Sequence, residues 1–184
     1  MAEGRRSVNS PFFLTLEAEA CLESGRIEAA LQAIEEALAA SRDTGECWAL
    51  AEMLRIKARL LQAMGQAGAE EIETILINSL EIARRQQARC WELRASCDLA
   101  RLWQDQGRER KALKLLQSVY DQFTEGLDMA DLRDAKALIG CLRQKVGWKQ
   151  KGRTPQHWNT TTGVSDATST SLLSHQVRNR FDHK

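Results

Sequence analysis

The chain has 184 residues and a net charge of +1, with 43% hydrophobic residues, 28% charged residues and only two prolines. That length holds one domain with a real core, and the composition suits a soluble, mostly helical protein. A charge so close to neutral argues against bulk attraction to nucleic acid or to an anionic membrane.

Residues 1–9 carry charge without an apolar core and are predicted to be disordered, and the PFFLTL that follows is too short for a signal sequence or a membrane span. A cytoplasmic protein is therefore expected. Ser10-Pro11 starts a helix, serine as cap and proline at the first helical position. This helix runs to about Ser24 with Leu14, Ala18, Cys21 and Leu22 inward. Phe12 and Phe13 either close the end of the core or face a neighbour that precedes them in related proteins. Helix two, about Ile27 to Ser41, presents Ala30, Leu31, Ile34, Ala37 and Leu38 as a stripe. Asp43 and Glu46 have capping-box spacing and are expected to open helix three, whose core face is read as Leu50, Leu54, Ala58 and Leu61.

Helix four, about Glu70 to Gln86, inserts Ile72, Leu76, Leu80 and Ala83. Helices five and six carry the clearest pattern in the chain. Leu93, Ala95, Leu99, Ala100, Leu102 and Trp103 precede Gly107, and Ala112, Leu113, Leu116, Val119, Tyr120 and Phe123 follow it, which describes two amphipathic helices folded back at a glycine. A seventh helix, Asp128 to Val146, sets Leu132, Ala135, Leu138, Ile139 and Leu142 on one side and is expected to cap the stack. Beyond Gly147 the composition turns to Ser, Thr and Asn. Residues 149–184 hold six Lys/Arg against two Asp, and 147–184 reads as a flexible basic tail.

The hairpin repeats. Gly25, Gly65 and Gly107 stand 40 and 42 residues apart in the same context, and Ala18, Ala58 and Ala100 each lie seven residues before one of them. A small residue there lets the two helices of a hairpin approach closely. Three hairpins therefore fill residues 10–146.

Small residues placed around a turn glycine resemble the tetratricopeptide (TPR) repeat, although these units exceed its usual period of about 34 residues. The phrases LAEMLRIKARLL, SLEIARRQQARCWELRASCDLARLWQDQGR and VYDQFTEGLDMADLRDAKAL are more specifically similar to a C-terminal helical-repeat region. That region belongs to large bacterial ATPase regulators bearing an adenylate cyclase or winged-helix domain. This resemblance, over roughly Pro11 to Leu142, implies an all-α, TPR-like α-solenoid with a signalling or scaffold role. It brings no catalytic residue and no cofactor.

Motifs for chemistry are missing. There is no P-loop, no HExxH and no GxSxG. All three histidines, His157, His175 and His183, lie in the tail, which leaves the repeats without a base titrating near neutrality. Adjacent carboxylates such as Glu35-Glu36 diverge on a helix. The cysteines, Cys21, Cys47, Cys90, Cys97 and Cys141, contain no CxxC pair and read as reduced core or edge residues. Trp103 reads as core, while Trp48 and Trp91 are expected to wedge neighbouring hairpins together. The arginines of helix five and the turn after it alternate with Glu92, Asp98, Asp105 and Glu109, as on a solvated face.

One constellation suggests binding. In helical repeats the first helix of each hairpin lines the concave surface. On that surface Arg55, Arg59 and Gln62 would stand beside Arg94, Arg101 and Gln104. These guanidiniums either converge on a groove that takes a carboxylate or an acidic peptide, or are ordinary exposed arginines paired with Glu52, Asp98 and Asp105. Two functions follow. One is a non-catalytic module that binds a protein or peptide, with neither nucleic acid nor membrane as partner. The other is a truncated piece of a larger regulator that keeps the fold and forms homo-oligomers through its first hairpin.

Overall fold

The computed structural model describes residues 11–150. The readings of residues 1–9, of the Ser10 cap and of the tail beyond Gln150 lie outside them. Among the described residues the fold is all-α: α1 (Pro11–Glu23), α2 (Ile27–Thr44), α3 (Leu50–Met64), α4 (Ala69–Arg85), α5 (Arg89–Asp105), α6 (Glu109–Tyr120) and α7 (Ala130–Gln150). No strand occurs among them.

The turns follow from backbone chemistry. The last carbonyls of a helix lack intrahelical donors, and a left-handed residue just past the end turns the next amides back onto them. Gly107, at φ 74°, does this after α5: its N–H donates to the Gln104 carbonyl at 3.0 Å and the Arg108 N–H donates to Trp103 at 2.7 Å. Gly25, also at φ 74°, repeats the motif after α1, with Arg26 donating to Cys21 at 2.9 Å. Between α4 and α5 the left-handed position is taken by Gln87, at φ 54°. Its amide bonds the Arg84 carbonyl at 3.0 Å, and Ala88 bonds Ala83 at 2.9 Å.

Three hairpins result, α1–α2, α3–α4 and α5–α6, and α7 packs on α5 and α6. Each helix touches its neighbours in sequence, and the odd-numbered helices also touch one another side by side: α1 with α3, α3 with α5, α5 with α7. Among the described residues no backbone contact joins the first hairpin to the third, although Trp91 of α5 packs against the cluster that α1 and α2 build with α3. Ala18, Ala58 and Ala100 are all fully buried, as expected of crossing points. The apolar interior forms two clusters. One is built by α1 and α2 with Met53, Ile56 and Leu60 of α3; the other runs from Ala58 through α4, α5 and α6 to Leu132, Ala135, Ile139 and Leu142 of α7.

At the N-terminal ends of the odd helices, aromatic rings join the repeats. Phe12 lies 4.8 Å from Trp48, and Trp48 stacks on Trp91 at 5.8 Å with 26° between planes. These contacts wedge the hairpins as expected. They also show that α1, α3 and α5 run parallel, because their starts lie together. Trp103 is buried, with Lys111 Nζ 3.9 Å from its ring centroid.

Three expectations need correction. The Asp43/Glu46 capping box does not form: α2 continues through Asp43 to Thr44, Gly45 ends it in the left-handed region, and α3 begins at Leu50. The core face of α3 is not the one expected either. Leu50, Leu54 and Leu61 are half-buried, whereas Ala51, Met53, Ile56 and Leu60 are fully buried. Because α3 touches α1, α2, α4 and α5, it is covered around most of its circumference, and no single stripe identifies its inner side. Finally, α7 runs on to Gln150, past the composition change at Gly147.

The close crossing at Ala58 is directly testable. Enlarging it by Ala58→Leu should lower stability by about 1–3 kcal/mol through overpacking. The same change at exposed Ala29 on α2 should stay within about 0.5 kcal/mol. Urea unfolding followed by circular dichroism reads both.

Candidate functional site

The parallel odd helices leave a groove of about 810 Å³ along one side of the hairpins. Leu16, Glu19, Ala20, Leu22 and Glu23 of α1 form one wall, and Arg55, Arg59, Gln62 and Ala63 of α3 form the floor. Leu93, Arg94, Cys97, Asp98, Arg101 and Asp105 of α5 continue it to Asp131 and Asp134 of α7. Five of the six residues singled out from sequence thus meet in one place. Gln104 does not: it is half-buried between α5 and α7, where its amide donates to Cys141 Sγ at 3.6 Å. It is not among the residues that line the concavity.

The arginines are not free. The Arg55 side chain is only 5% exposed and its guanidinium makes four hydrogen bonds to three acids. Nε and Nη2 fork onto Glu52 at 2.8 Å each, Nη1 donates to Asp98 at 3.0 Å and Nη2 also donates to Glu19 at 2.6 Å. Arg94 continues the chain of charges, giving Nη1 to Glu52 at 2.9 Å and Nε to Asp131 at 2.8 Å. Arg101 donates to Asp98 at 3.0 Å, and Arg59 stands 3.6 Å from Glu19. Four arginines and four carboxylates form one connected network across α1, α3, α5 and α7.

The pairing read from the sequence is present for Glu52 and Asp98, but Arg55 and Glu52 are buried, not exposed. Asp105 pairs with none of the arginines. Glu19 and Asp131 were not anticipated; they lie 36 and 37 residues from the arginines they meet.

Burial alone would raise the pKa of Glu52, yet the Arg55 and Arg94 guanidiniums outweigh it and hold the carboxyl below the ordinary value. For Arg55, burial favours loss of the proton, but Glu52, Asp98 and Glu19 more than offset that and raise its pKa. Both stay charged at any ordinary pH. Such a pair contributes little net stability against an apolar alternative, but removing one member strands a buried charge.

The groove offers carboxylates, guanidiniums and one thiol. Burial pushes the Cys97 thiol up to about 12, so it remains protonated near neutrality. Cys21 is buried as well, while Cys47, Cys90 and Cys141 are exposed. No group of three or more metal-ligating side chains occurs among the described residues, and none of the described helices is long and apolar enough to cross a membrane. No protein-family model, curated protein or solved structure matches the chain.

Three outcomes are expected. Arg55→Met should cost about 3–5 kcal/mol because buried Glu52 loses its forked partner and keeps only the Arg94 bond, with Asp98 and Glu19 also losing theirs, whereas Arg101→Met should change stability by less than about 1 kcal/mol. Glu52 is depressed in the folded state, so its contribution is complete above about pH 4.5 and is lost as pH falls through the lower folded value. Melting temperature below pH 4.5 should therefore fall more steeply in the parent than in Glu52→Gln. Ellman titration of the native protein should count Cys47, Cys90 and Cys141 quickly, with Cys21 and Cys97 reacting only after denaturation.

Proposed function

We propose that this chain is a TPR-like α-solenoid that acts as a protein-interaction module, holding an extended segment of a partner protein in the groove of α1, α3, α5 and α7. The reading includes no catalytic step and no cofactor. The observation that carries it is the groove itself: a concavity of about 810 Å³ lined by the first helix of every hairpin. Helix α3 is held on both flanks, so the floor is presented without a folding transition, which limits the ordering cost on binding to the peptide. The resemblance to the C-terminal repeats of bacterial ATPase regulators supports a signalling role in the cytoplasm on the same reading.

A second reading is supported by α1. Phe13 is 63% exposed and Leu16 42% exposed, on the one end of the array that has no helix stacked over it among the described residues. On this view the chain is a piece of a larger regulator and self-associates through its first hairpin.

Two measurements separate the readings. Selection of displayed peptides on the full chain should yield binders whose affinity drops at least about tenfold when Ala63→Trp fills the groove. Failure of that substitution to weaken any selected peptide would remove the groove reading. Light scattering should give a monomer across concentration if the first reading holds. A dimer that Phe13→Ser and Leu16→Ser return to monomer would establish the second.

A further inference from the structure

The charges lining the groove do not cancel. Arg55, Arg59, Arg94 and Arg101 are equalled in number by Glu19, Glu52, Asp98 and Asp131, the carboxylates they share in the network. Glu23, Asp105 and Asp134 remain; all three are exposed, line the groove and have no ion-pair partner among the described residues. Counting the buried Glu52 beneath the floor, seven carboxylates stand against four arginines among the described residues, a surplus of three negative charges, and the least tightly held cation is Arg59, 3.6 Å from Glu19.

The helix ends add to this surplus. α1, α3 and α5 run parallel, so their C-terminal ends, each with a partial negative charge of about half an electron, lie at the same end of the groove. Cationic side chains normally occupy that position, and none stands in the last turn of any of the three. Two of the helices place a carboxylate there instead, Glu23 on α1 and Asp105 on α5. Each departs from the favoured charge placement by roughly 0.3–1 kcal/mol at an exposed terminus. A cationic side chain seated on either carboxylate would relieve that end.

We infer that the segment taken by the groove is cationic, with lysine or arginine side chains seated on Glu23, Asp105 and Asp134. This rests on the reading of the groove as a peptide site and reverses the charge expected from its arginines. An acidic segment would meet Arg55 and Arg94 already held by carboxylates at 2.6–3.0 Å and could turn only to Arg59 and Arg101 on the rim, whereas a basic one meets three unpaired acids and helix termini. An arginine would be favoured over a lysine where it can fork onto one carboxylate.

The test uses the full chain and two fluorescein-labelled peptides of equal length, one rich in Lys and Arg and one rich in Glu and Asp, read by anisotropy. The Lys/Arg peptide should bind, weaken several-fold between about 50 and 300 mM NaCl through screening, and weaken about tenfold or more in the triple variant Glu23→Lys, Asp105→Lys, Asp134→Lys. All three positions are exposed, so the variant keeps the parent's circular dichroism and melting curve. Binding of the Glu/Asp peptide instead, lost on Arg59→Glu, would overturn the cationic assignment and leave the groove reading intact. Binding of neither peptide, or of the Lys/Arg peptide with equal affinity in the parent, the triple variant and Ala63→Trp, would overturn both.

Discussion

The buried Arg55 guanidinium is the constraint on which the arrangement of hairpins depends. It belongs to α3 and reaches Glu19 on α1 and Asp98 on α5, two helices whose backbones do not approach one another. Apolar packing between odd helices fixes their distance but tolerates sliding, because close-packed ridges offer alternatives one helical turn apart. A guanidinium bonded to carboxylates on both neighbouring helices does not tolerate it: a shift of one turn, about 5.4 Å, would break its bonds to Glu19 and Asp98. The network contributes register more than raw stability, in line with the desolvation that offsets a buried pair's attraction.

That constraint matters because backbone contacts join only successive hairpins among the described residues, and the two apolar clusters both draw on α3. In such an arrangement stability is close to a sum of unit and interface contributions, and either end can loosen without the other. The first hairpin is the weaker end. Its α1 contributes Leu14, Ala18 and Cys21 to the core while leaving Phe13 and Leu16 in water, and only α3 braces it from beyond its own hairpin. The opposite end is closed by α7, which brings Leu132, Ala135, Ile139 and Leu142 onto the third hairpin.

Much of this could be read from the residues. Turn glycines at 25, 65 and 107, the alanines seven positions before them and the apolar spacings of α4 to α7 identify the helices and their pairing, since each signal is local. Five groove residues were legible because parallel repeats put equivalent positions on one surface. Three features were not. Arg55 and Glu52 read as solvent-facing because charge inside a helical pattern usually is, and only the Glu52 contact, three residues away, is local; the others are 36 and 43 residues off. Asp43 matched a capping motif, but α2 had already enclosed it, and the left-handed Gly45 stopped the helix two residues later. Gln87 gave no signal for its left-handed turn, since glycine elsewhere fills that role.

The same residues hold the stack and floor the groove, and this limits what the groove can do. A guanidinium that leaves its carboxylates to greet an anionic ligand exposes a buried acid behind it, so ligand binding would be opposed by the loss of register between α1, α3 and α5. The rim carboxylates carry no such obligation. A ligand that spans Glu23 on α1 and Asp105 on α5 joins helices that α3 otherwise keeps apart, and because it binds only the aligned array it adds its binding free energy to the interface most prone to open. Recognition and alignment are then coupled with the same sign, which the arginine floor alone could not achieve.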